Sequence, residues 1–465
     1  MLTDEHRTTG AEQIEWDLTD LYSETGEKGL GADIATIESR SAAFRSKWYG
    51  TFATLSMDNF LAMVAEYEQL LETYDRMMSY TNLMWSTDSS NTEYARLMQR
   101  VRETVTRASS HIIFVPIELN AMSPERTREI LDHPSFAPRK HWLERVNDYR
   151  PYTLTEDVER VMSAKGTTAR SSWVRLHDEV ANAQTFMFRG KELTFAAIAK
   201  LSYEKDRSVR KEAAEVLSAG LAEEARMHGF IFNTVIADCE TNDRLRGYPT
   251  WLSSRNNDNE VPDASVQALI DAVVGRYDIV RRYYALKKRI LGYDTFHDYD
   301  RNAMIGNEEQ NWTWEQARSI VVDAYTKFDP QAGAIAAKFF DSNWIHAPVR
   351  KGKRSGAYSA GTVASVHPYV FMNYTGSTRD VQTLAHELGH GIHQYLSRSQ
   401  GTLLMDTPLT IAETASVFGE MVTFKSLYEQ TTTDEDRLTL VMSKLDGMIA
   451  TVFRQIALNR FEDAM

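Results

Sequence analysis

The segment His386-Glu387-Leu388-Gly389-His390 constrains this chain more than any other, because two histidines four positions apart can meet one partner only if the backbone between them is helical. On an α-helix residues i and i+4 lie one turn apart on the same face, and Glu387 then stands beside them. The spacing is the one by which a helix offers two imidazoles to a zinc ion, with the intervening glutamate as general base. Five residues alone are a weak signal, so their surroundings decide. Ser377-Thr378-Arg379-Asp380 reads as a capping box that starts the helix. Val381, Leu384, Ala385, Leu388, Ile392, Tyr395 and Leu396 then recur at helical spacing as one apolar stripe, and His386, His390 and His393 fall together off it. Gly389 costs a helix about 1 kcal/mol relative to alanine, which predicts a close approach there by another backbone or by a ligand.

A hydrolytic zinc takes three protein ligands and keeps a fourth position open. A third histidine six residues after His390 is excluded, because position 396 is leucine. Thr407-Pro408 reads as an N-cap and first helical residue, opening a helix over Leu409 to Phe424 on which Glu413 and Glu420 are the only charged residues. An ionised carboxylate on so apolar a helix calls for a cation, which makes Glu413 the expected third ligand. Glu420, seven residues on and on the same face, is placed to orient a ligand. Asp406 is the alternative ligand, although its position suits capping. His393 has no assigned role.

The run His367-Pro368-Tyr369-Val370-Phe371-Met372-Asn373-Tyr374, with Arg379-Asp380 and Thr383 to His393, resembles oligoendopeptidase F of the thimet oligopeptidase superfamily. So do Trp16 to Tyr22, Arg244 to Pro249 and Ile411 to Ser416, so the likeness covers nearly the whole chain. Met304 departs from it, standing where proline is expected. The resemblance implies an intracellular zinc endopeptidase that cuts short, unstructured peptides in a deep channel between helical walls. It matches His386, His390 and Glu413 to the metal ligands and Glu387 to the general base, with one zinc per chain. Apolar residues from Leu445 to Phe461 keep helical spacing almost to Met465 without a stop signal, which is expected of a C-terminally shortened form. The resemblance then implies that the groups stabilising the oxyanion lie beyond residue 465.

With 465 residues but only 11 Pro and 23 Gly, the chain favours long helices. Met57 to Phe114 reads as amphipathic helices, Arg150-Pro151-Tyr152 as a break, and Asp206 as a helix cap. Thr185 to Phe188, Arg189-Gly190 and Lys191 to Phe195 read as a hairpin. That hairpin is the expected boundary between an N-terminal helical domain, 1–190, and a catalytic domain, 191–465. Tyr369 to Tyr374 alternates little and reads as a strand covered on both faces. Used as a sheet edge, it would hold an extended peptide by main-chain bonds, making Tyr369, Val370, Phe371 and Tyr374 substrate-binding residues. His367 could touch substrate too, while Tyr283 and Tyr284 read as helix core.

A net charge of −13 argues against a basic surface for nucleic acid or anionic membrane. Cys239, the only cysteine, allows no intrachain disulfide and fits a reducing compartment, and Met1 to Arg7 shows no apolar signal core, so a cytoplasmic protein is expected. The expectation is therefore a mainly α zincin-like endopeptidase acting on oligopeptides, with a small antiparallel sheet beside the zinc helix. A helical metallocarboxypeptidase and a non-catalytic zinc-binding helical protein are the rivals.

Overall fold

Few breakers interrupt the chain, and helices dominate what it forms. The computed structural model describes residues 8–23, 27–166, 168–306 and 311–465; the opening segment 1–7, read above for its lack of an apolar core, lies outside them. The chain forms two compact units, each discontinuous in sequence: Met1–Arg160 with Glu309–Gln430, and Val161–Glu308 with Thr431–Met465. The expected boundary at 190/191 falls inside the second unit. The hairpin there is real, with Thr185–Phe188 paired antiparallel to Lys191–Thr194. Arg189 and Gly190 both take positive φ, as a two-residue type I′ turn requires. It is no linker, because Phe186 and Phe188 are buried with Ile198 and Ala213 in a core of their own.

In the first unit, helices Glu27–Trp48, Met57–Thr87 and Thr92–Ser110 pack on one another. Ser56 and Asn91 cap the second and third by accepting from backbone N–H groups in the first turn, and Phe44, Phe60, Met63, Met77 and Phe114 fill the space between. Tyr369 joins the same core and so ties it to a three-stranded sheet. That sheet is mixed: Tyr369–Phe371 lies in the middle, parallel to Ile345–His346 and antiparallel to Tyr358–Ala360. Helices Trp314–Phe328, Pro330–Asp341, Thr378–Ser397 and Leu409–Gln430 complete the unit, and the last two share its most extensive helix–helix contact.

The second unit is also helical. Asp206 caps Arg207–Glu223 as expected. Asp300, fully buried, is held by Arg207 at 2.7 Å and Arg210 at 3.1 Å. Buried Lys287 pairs with Asp446 at 2.8 Å, and buried Tyr283 donates to the same carboxylate at 2.7 Å. Each buried charge thus has a partner, without which burial would be costly. Among the described residues no helix is long and apolar enough to cross a membrane.

Candidate metal centre

The capping box forms: the Ser377 hydroxyl accepts from the Asp380 N–H while the Asp380 carboxylate accepts from the Ser377 N–H, starting helix Thr378–Ser397. Val381, Leu384, Ala385, Leu388 and Ile392 are buried along the predicted stripe, but the stripe stops there, since Tyr395 is half-buried and Leu396 exposed. Off the stripe, the His386 and His390 rings stand 4.9 Å apart, nearly perpendicular.

Helix Leu409–Gln430 crosses this one at unusually close range. A Cβ on Gly389 would fall 2.5 Å from the Ala415 carbonyl oxygen and 2.7 Å from the Ser416 Cα. In return, a Cβ on Gly419 would fall 2.7 Å from the Ala385 carbonyl oxygen and 1.9 Å from the Tyr325 hydroxyl. The two glycines let the backbones touch, which is the close approach that Gly389 predicted. The Tyr325 hydroxyl then donates to the Ala385 carbonyl at 2.8 Å, one residue before His386. A third helix is thereby fixed at the crossing.

The crossing carries Glu413 to the histidines. Its Oε2 lies 3.4 Å from His386 Nε2 and 3.4 Å from His390 Nε2. Among the described residues, these three form the one group whose potential ligand atoms all lie within 4.8 Å of one another. Tetrahedral zinc with bonds of about 2.1 Å sets its ligand atoms about 3.4 Å apart, which the two Glu413 separations match. Asp406 and His393 lie outside the group.

Glu420 accepts a hydrogen bond from His386 Nδ1 at 2.6 Å, which holds a proton on Nδ1 and turns Nε2 towards Glu413. Burial disfavours the charged His386 ring, but the Glu420 bond and the carboxylates of Glu387, Glu420 and Glu413 outweigh it and raise its pKa. At His390 burial prevails and lowers the pKa. Glu387 is only 6% exposed, and burial, against the pull of His386 and with Glu413 and Glu420 adding to it, pushes its carboxyl up to about 7. Burial does not single out Glu413, however. Its side chain is 55% exposed, so no burial penalty demands a cation, and the geometry alone recommends it.

The proposed substrate strand is a correction. Tyr369, Val370 and Phe371 occupy the middle strand and are fully buried, and Tyr374 is 2% exposed. The Tyr369 hydroxyl donates to the Asp17 carbonyl and that of Tyr374 to the Trp312 carbonyl, each at 2.9 Å. With a strand paired on either side, none of the four offers an edge to a peptide. The Ile345–His346 side is covered by the residue 14 backbone, whose carbonyl accepts from the Ala347 N–H. The half-exposed strand Tyr358–Ala360 is the remaining edge, and it packs on the histidine helix, where Ser359 Oγ donates to Gln394. His367 is likewise packing, stacked 3.9 Å from Trp344 with its Nε2 3.0 Å from Asp20. Sequence reasoning also missed Tyr325 and Ser416, whose roles depend on contacts between helices or within a turn that no periodicity marks.

Residues 200–465 match the sequence profile of peptidase family M3, and residues 118–186 that of the oligopeptidase F N-terminal family. The chain belongs to peptidase family M3. It is similar to oligopeptidase PepF of Bacillus subtilis, 23% identical across 90% of this chain and 63% of that relative. Group B oligopeptidase PepB of Streptococcus agalactiae is 22% identical across 99% of this chain and 77% of its own length. The chain thus spans 63% and 77% of the lengths of these two relatives. Its fold is that of oligoendopeptidase-F from Enterococcus faecium, with a TM-score of 0.66 at 19% identity over 93% of this chain and 74% of that one.

Proposed function

We propose that this chain is a zinc-dependent endopeptidase of the M3 family that hydrolyses oligopeptides, with His386, His390 and Glu413 as ligands and Glu387 as the proton carrier. The observation that carries the reading is the pair of 3.4 Å separations between one Glu413 oxygen and both imidazole Nε2 atoms. When bound, the zinc would polarise the scissile carbonyl and acidify a water molecule. Glu387, one residue after His386 and three before His390, would take a proton from water there and return it to the leaving amine. A carboxyl raised towards neutrality by burial suits both transfers. Glu420 keeps His386 in the tautomer that presents Nε2. The peptide backbone extends the sheet at Tyr358–Ala360, the edge beside the histidine helix, by main-chain bonds that read little of the side chains. The lone, unpaired Cys239 supports a reducing, cytoplasmic setting.

An internally quenched peptide blocked at both ends tests the reaction, since a carboxypeptidase cannot open it. Whatever cleavage the zinc-loaded protein performs is expected to be internal, and Glu387→Gln is expected to keep its zinc while losing at least a hundredfold of that rate, the lower range for a lost acid–base group. Undiminished turnover by Glu387→Gln would remove Glu387 from the chemistry.

A further inference from the structure

Glu413 poses a physical problem that its role as a ligand does not solve. Its side chain is more than half exposed, so packing does not hold it, and fixing a free glutamate costs it rotamer freedom. Yet its Oε2 stands 3.4 Å from the Nε2 atoms of both imidazoles. Something must select that rotamer.

We propose that Ser416 is the positioning residue for the metal-binding carboxylate, holding Glu413 Oε2 towards His386 and His390 through a hydrogen bond within one helical turn. Ser416 is fully buried at the helix crossing. Its hydroxyl lies 2.5 Å from Glu413 Oε2 and 3.0 Å from the Glu413 carbonyl oxygen. A hydroxyl has a single proton, and a carboxylate oxygen is the stronger acceptor, so the proton goes to Oε2 in a short charge-assisted bond. Serine in a helix ordinarily bonds back to a carbonyl, and here the ligand side chain has captured that bond. A carboxylate oxygen has two lone-pair sites, so donation from Ser416 leaves one for an ion. Ser416 cannot itself drift, because its Cα lies where a Cβ on Gly389 would come within 2.7 Å. The chain thus fixes the anchor by backbone packing and the ligand by the anchor. Glu420 does for His386 what Ser416 does for Glu413.

The inference rests on the zinc reading of this site, and a double-mutant cycle separates the two. Zinc affinity is measured by chelator competition for the wild type, Ser416→Ala, Glu413→Ala and the double variant, with melting temperatures of the metal-free proteins alongside. Ser416→Ala is expected to weaken zinc binding about 10–100-fold, the range for losing a group that orients a ligand. In the Glu413→Ala background the same change should have no further effect, since the carboxylate it orients is gone. Ser416→Thr, which keeps the hydroxyl, should recover part of the affinity. A role in packing alone would act equally with or without Glu413, and that result overturns the inference while leaving the zinc site standing. Ser416→Ala within twofold of wild type overturns it as well. Failure of the wild type to bind zinc, or full affinity in Glu413→Ala, overturns the zinc reading and the inference together.

Discussion

Replacing Gly389 with alanine should lower both stability and zinc affinity, against the general rule that alanine is the better helix former. The propensity term alone favours alanine by about 1 kcal/mol. The added Cβ, however, would sit 2.5 Å from the Ala415 carbonyl oxygen, about 0.9 Å inside the shortest ordinary contact of 3.4 Å. Both groups belong to helix backbones, so no side chain can swing away and the helices must part. Such overpacking costs about 1–3 kcal/mol, leaving a net loss of up to about 2 kcal/mol. The displaced segment carries Glu413, two residues before Ala415, so its oxygen moves out of reach of the imidazoles. Gly229 provides the control, being an exposed helical glycine whose Cβ would meet nothing within 4 Å. Gly229→Ala should stabilise by about 0.5–1 kcal/mol and leave zinc binding untouched. Denaturant unfolding and zinc competition on both variants make the comparison. If Gly389→Ala is as stabilising as Gly229→Ala and binds zinc normally, the helix crossing is not what places Glu413.

Glu413→Ala should weaken zinc binding well beyond the 10–100-fold expected of Glu420→Ala, because one change removes a ligand and the other an orienting bond; equal affinities by metal titration would exchange or abolish those roles. His346 is 1% exposed, with neither ring nitrogen hydrogen-bonded among the described residues, and burial, with Lys353 and Arg350 nearby, pushes its pKa down to about 3. The unfolded chain, with an ordinary histidine pKa near 6.5, binds the extra proton between about pH 6.5 and 3, so stability should fall on acidification through that window by about 1.4 kcal/mol per pH unit and be flat above it. His346→Phe should lack that component; identical pH slopes from urea unfolding of the two proteins would contradict it.

What could be read from the sequence was local. The capping box at Ser377, the stripe from Val381 to Leu396 as far as Ile392, the Arg189-Gly190 turn and the tension at Gly389 each follow from a few neighbouring residues, and each has its counterpart in the structure. What could not be read depends on distant partners. The strand around Val370 shows the same apolar run whether it lies inside a sheet or at its edge, and only pairing with Ile345 and Ser359 decides between them. The two units draw on separated stretches of chain, so a single hairpin near 190 could not mark their border. Glu413 lacks the burial that its apolar helix suggests, because such a sequence does not say which of its faces is covered; Phe418 and Met421 on that helix are 40% and 43% exposed. Ser416 gives no signal beyond its distance of three residues from Glu413.

Anomalous diffraction at the zinc edge, from crystals of the metal-loaded protein, tests the central claim most directly. One peak per chain is expected, within about 2.0–2.2 Å of His386 Nε2, His390 Nε2 and a Glu413 carboxylate oxygen, with a fourth position free of protein ligands. No peak at these residues, or one closed by four protein ligands, would contradict a catalytic zinc there.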